Sequence, residues 1–446
     1  MNYKTFSNFF FYSDIACHPK SCKILNWRKE KKVKFGWIDF SKEDKNNAIN
    51  VINSMKEKGI LDELGFGSIR KVFANDFFPG TSTIQTRAKY FLIIPYELQD
   101  FIQNEKTFTE NRNAAAFIKN AQNQINADEK NIGERLFNTY KDDSQTIGII
   151  GSRSIEEKTW VERGPLSIYW SGLRTYNFFR SEEENFTYTD FLSTLYNFEC
   201  NKKNSKDAEN KNKDEKNDSD AGNFSKKSPL VKIETYKKNW KEKIKIELTK
   251  DEAFFLKKKI ISSVPDSIMA LLLEKNIDLS ACMNGSEKNS FELFTKEVKN
   301  YVDEKTLKKL DLANKVNDFY YITMLRYSFQ LSKGQSKEVC DEWERVKAKV
   351  KGMCEVLNID ELFKIMKIKN PKLELFLKNI KQAFLNNNIE KVDSLIKKRE
   401  FDLKGNRAKL SKDDFKDPEI GIYAKFDYRL KNAWKIIDDI RWGEKK

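Results

Sequence analysis

The sequence contains a single histidine, His18, in a chain of 446 residues. Histidine-based nucleophile triads and most catalytic zinc sites require imidazole groups, so one histidine near the N-terminus argues against both. Cys17, His18 and Cys22 offer three potential zinc ligands, but a structural zinc site takes four and no second pair follows. We therefore predict no metal, no cofactor and no catalytic residue, and favour a protein without enzymatic activity.

Glycine-rich phosphate loops and long apolar runs are also missing. No Walker A sequence occurs, and Gly65-Phe-Gly67 lacks the third glycine of a dinucleotide-binding loop. No apolar run approaches the roughly 20 residues that a membrane span needs, and no secretory signal is recognisable. The six cysteines are scattered and form no dense disulfide framework. These features predict a cytoplasmic protein without membrane contact.

Positive charge is abundant. Lysine and arginine total 82 against 67 acidic residues, a net charge of +15. Such an excess favours phosphate backbones as partners, although lysine also accumulates on solvated faces when codon usage is A/T-rich. Arginine is the sharper indicator, because A/T-rich codon usage disfavours it, and nine of the 15 arginines lie between Arg28 and Arg180. Its planar five-donor group suits a carboxylate or a phosphate. For any single arginine the commoner alternative is an ion pair within the protein.

Hydrophobic periodicity predicts a mainly α-helical fold, with a few short strands in the N-terminal half and a helical C-terminal domain. The expected strands are Val33–Phe40 and Thr146–Gly151. We predict an N-terminal extension over 1–32 and a mixed, mostly helical domain over 33–200. An all-α domain over 229–446 should follow a disordered, lysine- and asparagine-rich linker over 201–228.

Several helix starts are marked by capping residues. Ser82-Thr-Ile-Gln85 and Thr249-Lys-Asp-Glu252 both fit the capping box, so helices are expected from Thr83 and from Lys250. Gly164-Pro165 should open another helix, since proline suits the first helical turn. The run Tyr90–Ile94, before Pro95, could be helix or strand, and its periodicity cannot decide between them.

Two stretches interleave basic and aromatic residues, Phe78–Phe91 and Arg153–Arg174. Cations beside aromatic rings suit contacts to phosphates and stacked bases, which makes these stretches candidates for binding nucleic acid. The alternative is that each arginine braces a turn against an aromatic core. The candidate nucleic-acid-binding residues are Arg70, Arg87, Lys89, Tyr90, Arg153, Arg163, Trp170 and Arg174.

Several blocks of the sequence resemble an uncharacterised bacterial family. They are Phe35-Gly-Trp37 with Asp39, Asp62–Arg70, Phe78–Phe91 and Pro165–Leu173. The similarity continues in the second half at Leu248–Leu256, Val264–Ser267 and Phe426–Arg429, and covers most of residues 33–442. The family has no assigned activity, so the resemblance supplies no catalytic residues. It implies a role in anti-phage defence neighbourhoods that also encode helicase-like and phospholipase-D-like proteins. Lys89 stands where arginine is common in the family, and this removes a bidentate fork at that position.

Three functional hypotheses follow. The first is a nucleic-acid-binding accessory protein, with DNA favoured, that acts with a helicase- or nuclease-type partner. The second is a helical adaptor or scaffold without nucleic-acid contact. The third is a metal-dependent nuclease built on Asp39, Asp62, Glu63 and Asp76, of which Asp39 is the best single candidate.

Overall fold

The computed structural model describes residues 63–104, 113–181, 183, 185–211, 228–279, 282–283, 290–412 and 415–446. These residues all belong to one compact unit, Ile60–Lys446, which includes both sides of the expected linker. The predicted extension over 1–32, the strand Val33–Phe40 and the carboxylates Asp39 and Asp62 lie outside the described residues.

Helices dominate the described residues, which confirms the mainly α-helical prediction. They are α1 (Gly67–Phe77), α2 (Tyr90–Gln103), α3 (Ala114–Thr139), α4 (Ser144–Ile147), α5 (Ser152–Glu156), α6 (Pro165–Thr175), α7 (Tyr188–Lys211), α8 (Lys250–Ser263), α9 (Ile268–Lys275), α10 (Ser290–Val298), α11 (Glu304–Leu331), α12 (Lys337–Val346), α13 (Val350–Glu355), α14 (Ile359–Ile365), α15 (Pro371–Leu385), α16 (Ile389–Lys404) and α17 (Leu430–Glu444). Short 3-10 turns occur at Trp240–Lys243, Lys347–Lys349 and Gly405–Arg407. Across these ranges no helix is long and apolar enough to cross a membrane.

The strand predicted over Thr146–Gly151 is wrong. Helix α4 ends at Ile147, and the following residues turn into α5. Gly148 and Gly151 have φ angles of 88° and 82°, a left-handed conformation that bends the chain and that a strand does not use. In the part of the chain that the structure describes, β pairing is limited to one isolated bridge between Phe179 and Leu230.

The two capping-box patterns have different outcomes. Thr249 and Glu252 form the complete box at the start of α8, as predicted. At Ser82 only the backward half forms, with the Ser82 N–H donating to Gln85 Oε1 at 3.0 Å, and the expected helix from Thr83 is absent. The chain stays a loop until α2 begins at Tyr90; α2 then continues through Pro95, so Tyr90–Ile94 is helical.

Helices from the two ends of the unit share one core. Helix α2 packs on α3, α6 and α8, while α8 packs against the C-terminal helix α17. Every residue of α2 from Tyr90 to Leu98 is buried. Helix α7 extends to Lys211, past the expected start of the linker at 201, and residues 212–227 lie outside the described residues.

Candidate functional site

Residues 78–89, which we call the motif loop, connect α1 to α2 and contain most of the basic–aromatic block. The loop turns at Gly80, whose φ is +80° and whose missing side chain leaves room for the Tyr176 ring of α6. The Tyr176 hydroxyl donates to the Pro79 carbonyl at 2.9 Å. Gly172 of α6 faces the Gly80 carbonyl so closely that a Cβ there would overlap it. Proline and glycine therefore shape the loop for contact with α6.

A buried tyrosine satisfies the backbone of the motif loop. The Tyr169 hydroxyl accepts from the N–H groups of Thr86 at 2.8 Å and Arg87 at 3.0 Å. It donates to the Arg87 carbonyl at 2.8 Å. Burial raises the pKa of Tyr169 to about 12, so the phenol remains protonated and can act as both donor and acceptor.

Arg87 binds a carboxylate of the C-terminal helix. Its Nε lies 2.9 Å from Asp439 Oδ2, its Nη2 lies 2.8 Å from Asp439 Oδ1, and its Nη1 donates to the Ile147 carbonyl at 3.0 Å. Asp439 also accepts the Ala88 N–H at 2.8 Å. Burial raises the pKa of Asp439, while the Arg87 guanidinium opposes that shift. This planar, bidentate pair fixes the motif loop to α17.

Lys89 and Tyr90 are also engaged inside the protein. Lys89 Nζ lies 2.5 Å from Glu252 Oε2 at the start of α8, and burial lowers the pKa of Lys89. Glu252 accepts from the Tyr96 hydroxyl as well. The Tyr90 hydroxyl accepts the Ile150 N–H at 2.9 Å. Arg87 and Lys89 of the motif loop, with Tyr90 at the start of α2, thus contact α17, α8 and the α4–α5 turn.

Two of the other candidates, Trp170 and Arg174, meet at one backbone carbonyl. Trp170 is half-buried, stacks on Phe179 with centroids 4.4 Å apart, and donates from Nε1 to the Phe186 carbonyl. Arg174 is half-buried and reaches the same carbonyl at 3.5 Å. Arg70 is half-buried on α1.

Arg153 and Arg163 are exposed. Arg153 donates from Nε to Gln145 Oε1 at 3.3 Å. Of the five candidate arginines, these two are the exposed ones.

Glu63 and Asp76, two of the carboxylates considered for a nuclease, have internal cations as partners. Glu63 is buried and contacts Lys404, and its Oε2 accepts from the Tyr327 hydroxyl at 3.0 Å. Asp76 lies 2.5 Å from Lys309 Nζ. Within the described ranges, no group of three or more histidine, cysteine, aspartate or glutamate side chains could hold a metal ion.

A basic surface lies elsewhere, on residues 232–250, which we call the lysine strip. Three side chains of the strip contact the Asp100 carboxylate of α2. They are the Tyr236 hydroxyl at 2.6 Å, Trp240 Nε1 at 3.1 Å and Lys241 Nζ at 2.9 Å. Further along, the Ile246 N–H donates to the Tyr140 hydroxyl of α3.

Beside exposed Glu234 and Glu242, the lysine strip carries six exposed lysines that form no ion pair with any residue the structure describes. They are Lys232, Lys237, Lys238, Lys243, Lys245 and Lys250. Sequence reasoning missed this surface although its signal was present, because Tyr236-Lys-Lys-Asn-Trp-Lys-Glu-Lys243 interleaves aromatic and basic residues in the manner of the two stretches chosen.

Comparison with known proteins gives a family relationship without an activity. Residues 33–206, less than half of the chain, match the model of a family described as "Family of unknown function (DUF6361)". The match agrees with similarity to an uncharacterised family. No curated protein and no solved structure matches the chain.

Proposed function

We propose that the protein is a non-enzymatic nucleic-acid-binding accessory that holds phosphate backbones on the lysine strip. The observation that carries the proposal is the set of six exposed lysines without ion pairs to described residues. Their segment is hydrogen-bonded to Asp100 of α2 and to Tyr140 at the end of α3. A segment that is already held in place loses little conformational entropy on binding, so this entropy offsets less of the favourable electrostatic free energy.

The distribution of charge supports this surface over the motif residues. Arg174 and Arg441 reach backbone carbonyls, whereas several other buried or half-buried cations pair with carboxylates, as in Arg87–Asp439, Lys89–Glu252 and Arg326–Asp393. Such pairs are neutral, so the net charge of +15 is carried by the other residues. Lysines act as point charges without a bidentate fork, which suits sequence-independent contacts to phosphates.

The finer parts of the proposal are DNA as the nucleic acid, a cytoplasmic location, and a bacterial defence system with a helicase- or nuclease-type partner. They rest on the resemblance of the sequence blocks to an uncharacterised family associated with such neighbourhoods. The lysine strip is consistent with an accessory that retains nucleic acid while a partner performs the chemistry.

The test is fluorescence anisotropy with a labelled duplex at low salt. We expect the triple variant Lys237→Ala, Lys238→Ala, Lys243→Ala to bind at least about tenfold more weakly than the parent protein, because counterion release falls with each lost phosphate contact. The matched control removes three other exposed lysines without ion pairs among the described residues, Lys349→Ala, Lys364→Ala and Lys416→Ala. Equal losses in the two triple variants would contradict a localised surface.

A further inference from the structure

The hairpin of α15 and α16 carries a groove with a volume of about 480 Å³, whose lining includes Ala383 and Leu395 as well as polar side chains. Its walls are exposed side chains spaced one helical turn apart on each helix, so each helix contributes one continuous row. The rows comprise Asn379 and Gln382 on α15 with Asn386 directly after it, and Lys391, Ser394 and Lys398 on α16.

The groove presents charge and amide groups with few internal partners. Lys391 and Lys398 form no ion pair with any residue in the described ranges and lie about 10.5 Å apart along the axis of α16. Gln382 Nε2 donates to Asn386 Oδ1 at 3.1 Å, which leaves further donors and acceptors on both amides. Side-chain amides both donate and accept, as a peptide main chain does.

Exposed apolar side chains extend both rows beyond the groove. Leu375 lies four residues before Asn379 on α15 and is 60% exposed. Phe401 lies three residues after Lys398 on α16 and is 49% exposed. Helical spacing puts each residue on the face of its own row, at the end remote from the turn between the helices. A surface with an apolar end and a polar, cationic remainder has the composition of a docking site.

We infer that this groove docks an acidic segment of a partner protein, one that carries an apolar side chain beside its carboxylates. Two carboxylates would meet Lys391 and Lys398, the amides would pair with the main chain of the segment, and Leu375 and Phe401 would receive the apolar side chain. The small number of cations in the groove favours an acidic peptide over nucleic acid as its occupant. The groove offers two cations, whereas the lysine strip offers six, and affinity for a phosphate backbone grows with each cation.

The test uses two labelled peptide pools and fluorescence anisotropy. In the first pool aspartate and glutamate alternate at random with leucine and phenylalanine, and in the second asparagine and glutamine replace the acids. The parent protein should bind the acidic pool and not the amide pool. The variant Lys391→Glu, Lys398→Glu should bind the acidic pool about tenfold more weakly, because like charges then oppose it. A third pool with lysine in place of the acids should bind this variant.

Two controls distinguish loss of peptide binding at the groove from unfolding of the protein and from loss of DNA binding at the lysine strip. Thermal unfolding of the Lys391→Glu, Lys398→Glu variant should match that of the parent, since both lysines are exposed. Its affinity for duplex DNA should remain within about twofold of the parent, while the Lys237, Lys238, Lys243 triple variant should keep peptide binding. Each proposal can therefore fail without the other.

Three results would overturn the inference. The first is failure of the acidic pool to bind the parent protein. The second is equal binding of that pool to the parent and to the charge-reversed variant. The third is loss of affinity for a single-stranded oligonucleotide in the charge-reversed variant, with peptide binding unchanged, which would assign the groove to nucleic acid.

Discussion

At the scale of single residues, the most unusual group is Glu97 of α2. Its side chain is buried at 1% exposure, and neither carboxylate oxygen has a hydrogen-bond partner within the described structure. Burial raises the pKa of Glu97 well above its ordinary value, and the neighbouring charges of Glu129, Asp128 and Asp100 act in the same direction against Lys241. Burial also raises the pKa of Glu129 to about 7. We expect Glu97 to be protonated in the folded protein at neutral pH.

A carboxyl group whose folded-state pKa is raised stabilises the folded protein below its unfolded pKa of about 4.3, and this stability is lost as pH rises toward the folded pKa. The free energy of unfolding should therefore fall from pH 5 to pH 8. The Glu97→Gln variant should show a shallower fall, because it removes one titrating group. Urea unfolding at a series of pH values measures this, with exposed Glu162→Gln as the control. Parallel profiles for parent and Glu97→Gln would contradict the assignment.

Substitution of Arg87 tests whether this cation stabilises the fold or binds a ligand. Arg87→Ala leaves Asp439 without its guanidinium partner and should reduce the free energy of unfolding by about 3 kcal/mol. Arg153→Ala, at an exposed position, should change it by less than about 0.5 kcal/mol. Chemical denaturation of the two variants provides the comparison. Comparable stability in both would show that the Arg87–Asp439 pair does not hold the loop to α17.

At the scale of elements, the close approach of α6 to the motif loop depends on glycine. A Cβ at position 172 would meet the Gly80 carbonyl and the Phe91 ring. Gly172→Ala should therefore destabilise the protein by about 2 kcal/mol, because backbone atoms must move apart. Gly352→Ala in α13 is the matched control, since a Cβ there meets nothing within 4 Å. That change should stabilise the protein by about 0.5–1 kcal/mol. Thermal unfolding compares the two, and equal signs would contradict this packing.

The two capping boxes show how far local sequence determines an element. Thr249 and Glu252 begin a helix because their side chains satisfy the first backbone donors of α8. Ser82 and Gln85 have the same spacing, yet distant groups take over the backbone of the motif loop. Asn432 of α17 donates to the carbonyls of Thr83 and Gln85. These tertiary partners replace helical hydrogen bonds, and no local pattern reveals them.

At the scale of the whole molecule, helical content could be predicted from the sequence, whereas the partners of Arg87 and Lys89 could not. Arg87 and Asp439 are 352 residues apart in the chain, and Lys89 and Glu252 are 163 residues apart. The preference of arginine for a planar anionic partner was inferred correctly, but the partner is an internal carboxylate. The lysine strip was within reach of sequence reasoning, because its basic and aromatic residues are contiguous.

The central claim is that Arg87 and Lys89 stabilise the fold, while the lysine strip contacts phosphates. The most direct measurement is the slope of log K against log salt concentration for duplex DNA. Six phosphate contacts predict a slope of about −5 for the parent protein, and the Lys237, Lys238, Lys243 triple variant should be shallower by about 2.7. Identical slopes for the parent and this variant would contradict the account.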